Sequence, residues 1–303
     1  MQQGDTVAVV APSGPVDSVL LGRGTRRLEG IGLKVVVGPH VLDRQDLGYL
    51  AGSDAARAAD LESAWCDPAV GAVFCARGGY GAARLLGLLD WDRMRAAGPK
   101  TLIGSSDITA QHHAFAAELG VPTLHGPMPG GLLLGGEQGP EPATWEHLRA
   151  VLFGASAPVT GDLVLAPGRA TGVLSGGNLS LLASLCGTGY QPSFAGRIAL
   201  LEDIGEQPYR VDRLLTQLLQ SGAFAGVRQM LGDEDRPVLP GPAAHLAAQS
   251  GEPDEDLPAA AEGQRTPVRG ERTGVAVGVR DEREQRVEVD VLGAARGLPV
   301  TFE

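Results

Sequence analysis

Lysine is nearly missing from this chain of 303 residues: there are two, Lys34 and Lys100. With 25 basic against 36 acidic residues the net charge is −11. That balance argues against a nucleic-acid or anionic-membrane surface, since both need clustered cations. Cysteine is scarce too, and Cys66, Cys75 and Cys186 form neither a C-x-x-C pair nor an even set. They read as buried thiols in a reducing compartment rather than as a disulfide framework. No apolar run approaches the length of a bilayer span, and Met-Gln-Gln-Gly-Asp at the start is no basic leader. A cytoplasmic protein without a membrane partner is expected. No H-E-x-x-H or other metal spacing is present, nor a G-x-x-x-x-G-K-[ST] loop. Arg77-Gly-Gly-Tyr-Gly81 is not G-x-G-x-x-G and has no acidic residue at the ribose spacing. No metal and no cofactor are therefore expected.

Glycine, by contrast, is abundant at 44 residues, and it punctuates apolar runs that alternate with helical patterns. Strands are expected over residues 6–11, 33–37, 72–76 and 101–103, the first as a run buried on both faces and the third as a buried strand. Helices are expected over residues 17–30, 54–66, 82–89 and 108–119. Strands alternating with helices mean βαβ units and a mostly parallel sheet. The loops 12–15, 77–81 and 104–107 then share the carboxyl edge, where sites of such sheets form. Residues 127–167 turn rich in Gly, Pro and Ala and read as an interdomain connection. A second unit follows, with a Leu-rich helix over 179–185, a strand over 197–201 ending in Glu202-Asp203, and an amphipathic helix over 208–220. The fold class is α/β: a parallel-sheet N-terminal domain (1–128), a connection (129–167) and a smaller C-terminal α/β domain (168–303), with the catalytic cleft between them.

The central stretch is Thr101-Leu-Ile-Gly-Ser-Ser-Asp-Ile-Thr109. A strand turning into a helix through Gly-x-Ser places one hydroxyl, that of Ser106, on the turn. The Asp107 N–H at the start of the helix is then poised to stabilise an oxyanion. The same residues also suit an ordinary N-cap. Gly78 and Gly79 allow backbone N–H groups to approach a ligand and supply a second oxyanion donor, and Arg77 suits a substrate carboxylate. The competing reading is a tight turn with a solvated arginine. At the end of its strand Glu202 is placed to orient a catalytic base, with Asp203 and Glu206 as alternatives. His112 and His113 are adjacent and project from different sides of a helix, while His125 reads as structural.

Taken together, these pieces resemble the LD-carboxypeptidase family of serine peptidases (family S66, which also holds microcin-immunity hydrolases). The motifs are Ala11-Pro-Ser-Gly14; Ala51-Gly-Ser-Asp54 with Arg57 and Asp60-Leu61; Ala76-Arg-Gly-Gly-Tyr-Gly81; Gly104-Ser-Ser-Asp-Ile-Thr109; His125-Gly-Pro-Met128; Gly176-Gly-Asn-Leu179; and Leu201-Glu-Asp-Ile-Gly-Glu206 with Pro208-Tyr-Arg210. The resemblance implies a Ser-Glu-His triad in that order, with Ser106 the nucleophile and Glu202 orienting the histidine. It places the oxyanion hole at Asp107, Gly78 and Gly79, and substrate binding at Arg77 and Tyr80. The implied reaction removes terminal D-alanine from cytoplasmic murein tetrapeptides during peptidoglycan recycling, without metal, in a homodimer. The Arg-Gly-Gly-Tyr-Gly form resembles the murein branch more than the immunity branch, whose substrates are acyl-aminoacyl nucleotides.

One departure stands against these matches. The family's Gly-His-Gly loop is expected roughly seventy residues after the glutamate, near Arg269-Gly-Glu-Arg272, and no histidine is there. Beyond Glu202 the chain has one histidine, His245, in surroundings that match no family loop; it is the candidate base only if the tail folds it back onto Ser106. The composition changes at the same place. Residues 233–303 hold 15 acidic and 8 basic residues and a single aromatic, Phe302; their first half has the composition of a disordered segment. Strands are expected only over 273–279 and 286–292. A shift of reading frame near Gly232 accounts for both changes, with a diverged tail as the competing account. The alternative functions are a catalytically impaired remnant that still binds peptide and an immunity-type hydrolase of acyl-aminoacyl nucleotides.

Overall fold

The computed structural model describes residues 1–46, 48–155, 160–161, 168–232, 286–291 and 300–302. Strand β1 (Thr6–Val10) is buried at its last four residues, as an apolar run sandwiched on both faces must be. Helix α1 (Ser18–Gly30) starts where the Asp17 carboxylate accepts the Val19 and Leu20 N–H groups at 2.8 and 3.0 Å. Strand β2 (Lys34–Val37) follows, then helix α2 (Asp54–Cys66), capped by the Ser53 hydroxyl on Ala56 N at 3.1 Å. Strand β3 (Val70–Cys75) leads into a 3-10 turn (Ala82–Leu85) and helix α3 (Trp91–Ala96). Strand β4 (Thr101–Gly104) leads into a second 3-10 turn (Ser106–Ile108), helix α4 (Thr109–Glu118) and strand β5 (Thr123–His125). The sheet order is β2-β1-β3-β4-β5, every pair parallel.

The period of two in the strands divides the core between the two faces of this sheet. Ala8, Val10, Val73 and Leu102 pack with Leu61, Trp65 and Phe115 of α2 and α4. Val7, Val9, Phe74 and Ile103 pack with Leu21 and Leu28 of α1 on the other face. Two helices within the expected connection complete that second layer. They are α5 (Leu132–Gly135) and α6 (Pro142–Leu152), and their Leu134, Leu148 and Leu152 join the same cluster. Pro142 in the first turn and the Glu141 side chain on Thr144 N start α6 within a Gly- and Pro-rich stretch. At Gly24 a Cβ would lie 2.0 Å from Pro129 O, so only glycine lets the α1 backbone meet the segment that leads to α5.

The second sheet has the order β6-β11-β10-β7-β8-β9. Its strands are β6 (Thr160–Gly161), β7 (Gly168–Asn178), β8 (Arg197–Glu202), β9 (Gln229–Gly232), β10 (Arg286–Val291) and β11 (Val300–Phe302). It is mixed: β7, β8 and β9 run parallel, whereas β10 is antiparallel to β7. Helix α7 (Leu179–Ser184) follows β7, and helix α8 (Pro208–Gln220) follows β8. Leu215 and Leu218 of α8 are buried against Leu182, Phe194 and Leu201, each contributing roughly 1.5–3 kcal/mol of burial. The helix expected over residues 82–89 is a 3-10 turn of four residues. Gly81 at φ +123° precedes it, and turns rather than α-helix follow. The strand expected over 273–279 lies outside the described residues. No helix of the described residues is long and apolar enough to cross a membrane.

Candidate active site

The loops after β1, β3 and β4 meet at the carboxyl edge of the first sheet. Gly14 N donates to Gly78 O at 3.2 Å, and Ala76 N donates to Val10 O at 2.7 Å. Between β4 and α4 the chain turns sharply at Ser106, whose φ of +59° is the one positive value at a non-glycine among the described residues. Left-handed backbone at a residue with a Cβ costs roughly 1–2 kcal/mol, and such strain persists where surroundings over-determine it. The surroundings here are tight. A Cβ at Gly104 would lie 2.9 Å from the Ile108 side chain and 3.1 Å from that of Cys75. A Cβ at Gly78 would lie 3.0 Å from Ser106 Cβ and 3.2 Å from its Oγ. Glycine at 78 therefore leaves the Ser106 hydroxyl room, and the backbone of 78–79 lies beside it.

Asp107 contributes more than the N–H that its position promised. Its carboxylate is buried and accepts the Ser13 hydroxyl at 2.6 Å and the Ala82 N–H at 2.8 Å, joining all three loops. The backbone N–H of Asp107 opens the 3-10 turn and belongs to the N–H groups without a partner inside the helix. A second fastening comes from Arg57, which is 1% exposed. Its guanidinium donates to Pro12 O, to Gly81 O at 3.1 Å and to Asp54. Arg84 also grips Asp54, at 2.6 to 3.1 Å, and the two arginines hold that carboxyl below the usual carboxylate range. Arg77 is exposed and donates to Pro15 O at 3.0 Å, and Tyr80 is exposed on the same loop.

The second sheet meets this turn through Thr109. Asn178 N donates to Thr109 Oγ1 at 2.9 Å. Gly177, at φ +132°, could carry no side chain there, because a Cβ would lie 2.5 Å from that oxygen. Asn178 is the register partner of Glu202 at the end of β8. Glu202 thus ends its strand next to the strand that docks on the Ser106 helix. Its neighbour Asp203 is occupied otherwise, accepting Asn178 Nδ2 at 3.2 Å, Ser180 N at 3.0 Å and the Ser180 hydroxyl at 2.7 Å. Glu206 pairs with Arg210 at 2.5 Å.

Three of the described histidines belong to α4 and β5. His112 gives its Nε2 to Gly104 O at 2.9 Å, and burial lowers it to about 3. His113 faces Gly176 and Phe194 on the other side of α4, and burial lowers it to about 4. His125 ends β5 opposite Gly104, with its ring 6.1 Å from that of His112. His245 lies outside the described residues. Burial pushes the Cys75 thiol up, and no group of three or more His, Cys, Asp or Glu side chains among the described residues is placed to hold a metal. Ser13, Arg57, Thr109 and Asn178 were not singled out for a role by sequence reasoning. The signal available for them was their place inside the motifs quoted above.

Comparison with known proteins decides the kinship. The LD-carboxypeptidase N-terminal domain matches residues 7–126, and the LD-carboxypeptidase C-terminal domain matches residues 171–236. The chain belongs to the LD-carboxypeptidase family, a family of serine-type hydrolases. A Streptomyces coelicolor protein named as a carboxypeptidase is 55% identical over 236 residues, which is 75% of this chain and 74% of its own. The murein tetrapeptide carboxypeptidase of Pseudomonas aeruginosa is 41% identical over 71% of each chain. Among solved structures, an MccF-like protein of Bacillus anthracis superposes with a TM-score of 0.76 at 24% identity, covering 100% of this chain and 97% of that one. The muramoyltetrapeptide carboxypeptidase of Oxalobacter formigenes gives 0.71 at 24%, covering 98% and 97%. The two structures show the same fold.

Proposed function

We propose that this LD-carboxypeptidase relative takes cytoplasmic murein tetrapeptides and releases their terminal D-alanine, with Ser106 as the nucleophile. The observation that carries the reading is the left-handed Ser106 on a strand-to-helix turn, packed on Gly78. In this reaction Ser106 Oγ attacks the carbonyl carbon of the L,D-peptide bond while a base takes its proton. The resulting oxyanion lies against the Asp107 N–H and the backbone of Gly78 and Gly79. Collapse expels D-alanine as its nitrogen takes the proton back, and water then hydrolyses the acyl-enzyme. Arg77 and Tyr80 on the adjoining loop hold the peptide, and Glu202 orients the base.

The base is the weak element. His245 is the histidine that follows Glu202 in the sequence, and the C-terminal domain match ends at residue 236, before it. A serine without a base keeps only the oxyanion hole and binding, with the rate down by orders of magnitude. This favours a second reading, a protein that binds the peptide and turns it over little. Purified protein and murein tetrapeptide separate the two. D-alanine release that vanishes in Ser106→Ala supports the enzyme; calorimetric binding without release supports the binding protein. An acyl-aminoacyl nucleotide assayed in parallel tests the immunity-type activity, and its faster cleavage would overturn the murein reading.

A further inference from the structure

His112 is the fourth residue of α4 and is 7% exposed. The Cβ of a helical residue tilts toward the helix start. The ring of His112 reaches back to Gly104, on the strand side of the Ser106 turn, where Nε2 lies 2.9 Å from the carbonyl oxygen. A carbonyl only accepts, so Nε2 carries the proton and Nδ1 holds the bare lone pair. That lone pair is buried and meets no donor among the described residues. An acceptor buried in this way costs about 1–3 kcal/mol, and a leucine or phenylalanine would fill the space without it. Packing alone therefore does not account for a histidine here. What the imidazole adds is a second donor on Gly104 O, which already accepts Gly126 N at 3.0 Å.

The place of that carbonyl gives the bond its meaning. Gly104 ends β4 two residues before Ser106, and Asp107 follows Ser106 with its carboxylate held by Ser13 and Ala82. The left-handed Ser106, at φ +59°, is thus spanned by two fixed points. Backbone strain at such a residue persists only where the surroundings hold it, and freeing either end lets the turn relax. We propose that His112 is a positioning residue for the Ser106 chemistry: by holding Gly104 O it keeps the turn of the nucleophile in its left-handed form. It acts through the backbone and touches no substrate. This rests on the reading of Ser106 as the nucleophile.

The test reads Ser106 in two ways, by D-alanine release from murein tetrapeptide and by the rate at which an alkyl fluorophosphonate labels it, with Ser106→Ala as the blank. The label needs the hydroxyl and its oxyanion donors but no peptide. His112→Phe, which fills the space without a donor, is expected to lower both rates about tenfold or more. Its calorimetric Kd for the tetrapeptide is expected to stay within about twofold of the parent, and its thermal midpoint to hold, because the bare lone pair is gone as well. His112→Gln, whose amide N–H reaches about as far as Nε2, is expected to bring labelling back to within about threefold of the parent. Equal labelling of the parent and His112→Phe, or an equal loss in His112→Phe and His112→Gln, overturns the proposal. If His112→Phe does not fold, His112→Leu carries the same comparison. A parent that is labelled at Ser106 and releases no D-alanine removes the murein reading and leaves the labelling test in force. If the parent neither takes the label at Ser106 nor releases D-alanine, Ser106 is no nucleophile and the positioning role falls with it.

Discussion

The hydroxyl of Ser13 donates to Asp107 Oδ2 at 2.6 Å, out of solvent and across 94 residues of sequence. Asp107 follows Ser106, and its other tie is the Ala82 N–H at 2.8 Å. The residue beside the proposed nucleophile is thus the clasp of the three loops that form the site. Removing it leaves two buried donors without an acceptor, at about 1–3 kcal/mol each. Asp107→Ala is expected to lower unfolding stability by roughly 3 kcal/mol in urea titration, and Asp107→Asn by clearly less, because both donors meet the same oxygen, Oδ2, which a carbonyl can replace. A loss below about 0.5 kcal/mol, the range of ordinary surface changes, would show that the clasp carries no weight.

Gly78 sets the space around the Ser106 hydroxyl. A methyl group there would crowd Ser106 Cβ at 3.0 Å and Oγ at 3.2 Å. It would also meet Ser105 O at 3.3 Å, so the turn must give by a few tenths of an ångström. A displacement of that size at a reacting atom matters more to rate than to folding. Gly78→Ala is expected to lower D-alanine release at least tenfold while shifting the thermal midpoint by only a few degrees. Unchanged release would separate Gly78 from the chemistry.

Acid should weaken the fold through α4. Burial lowers His112 to about 3 and His113 to about 4, and the charge of Arg197 pushes His113 the same way. In the unfolded chain both titrate near 6.5. Between those values the unfolded state binds the extra protons, so stability is complete above about pH 6.5 and drains as pH falls toward 4. Each histidine contributes at most about 1.4 kcal/mol per pH unit to that slope. His113→Gln should flatten the decline between pH 6.5 and 4 in denaturant titrations, and a slope equal to that of the wild type would contradict the assignment.

Local signals carried the helices with clear ends. Helix α2 begins at Asp54 behind a Ser53 cap, and α8 begins at Pro208, both where the residues announce them. Helices α5 and α6 were hidden because Gly and Pro around them outweigh a buried face of few residues, Leu134, Leu148 and Leu152. Short α3, capped by Asp90, had too few turns to show a period. In the site, Ser106 was legible as a residue on a turn, but its left-handed backbone was not, since nothing local forces it. Arg57 shows the same limit more sharply. A lone arginine on a helix reads as solvated, and only the convergence of Pro12, Gly81 and Asp54 makes it a buried clasp.

The tail offers the sharpest experiment, because the sequence match to the family ends before it. The Streptomyces coelicolor relative is 55% identical over 75% of this chain, and the match to the C-terminal domain ends at residue 236. On the reading in which Ser106 lacks its base, supplying one should restore release. Replacing residues 233–303 with the corresponding tail of that relative is expected to raise D-alanine release by about three orders of magnitude or more. His245→Ala in the original chain should change release by less than twofold if that histidine does not serve Ser106. Translation of the coding DNA in its other two frames beyond Gly232 gives an independent check, since a shifted frame would uncover a Gly-His-Gly loop. A chimera that folds, binds the tetrapeptide and releases no more D-alanine than the parent would place the defect in the loops around Ser106 rather than in the tail.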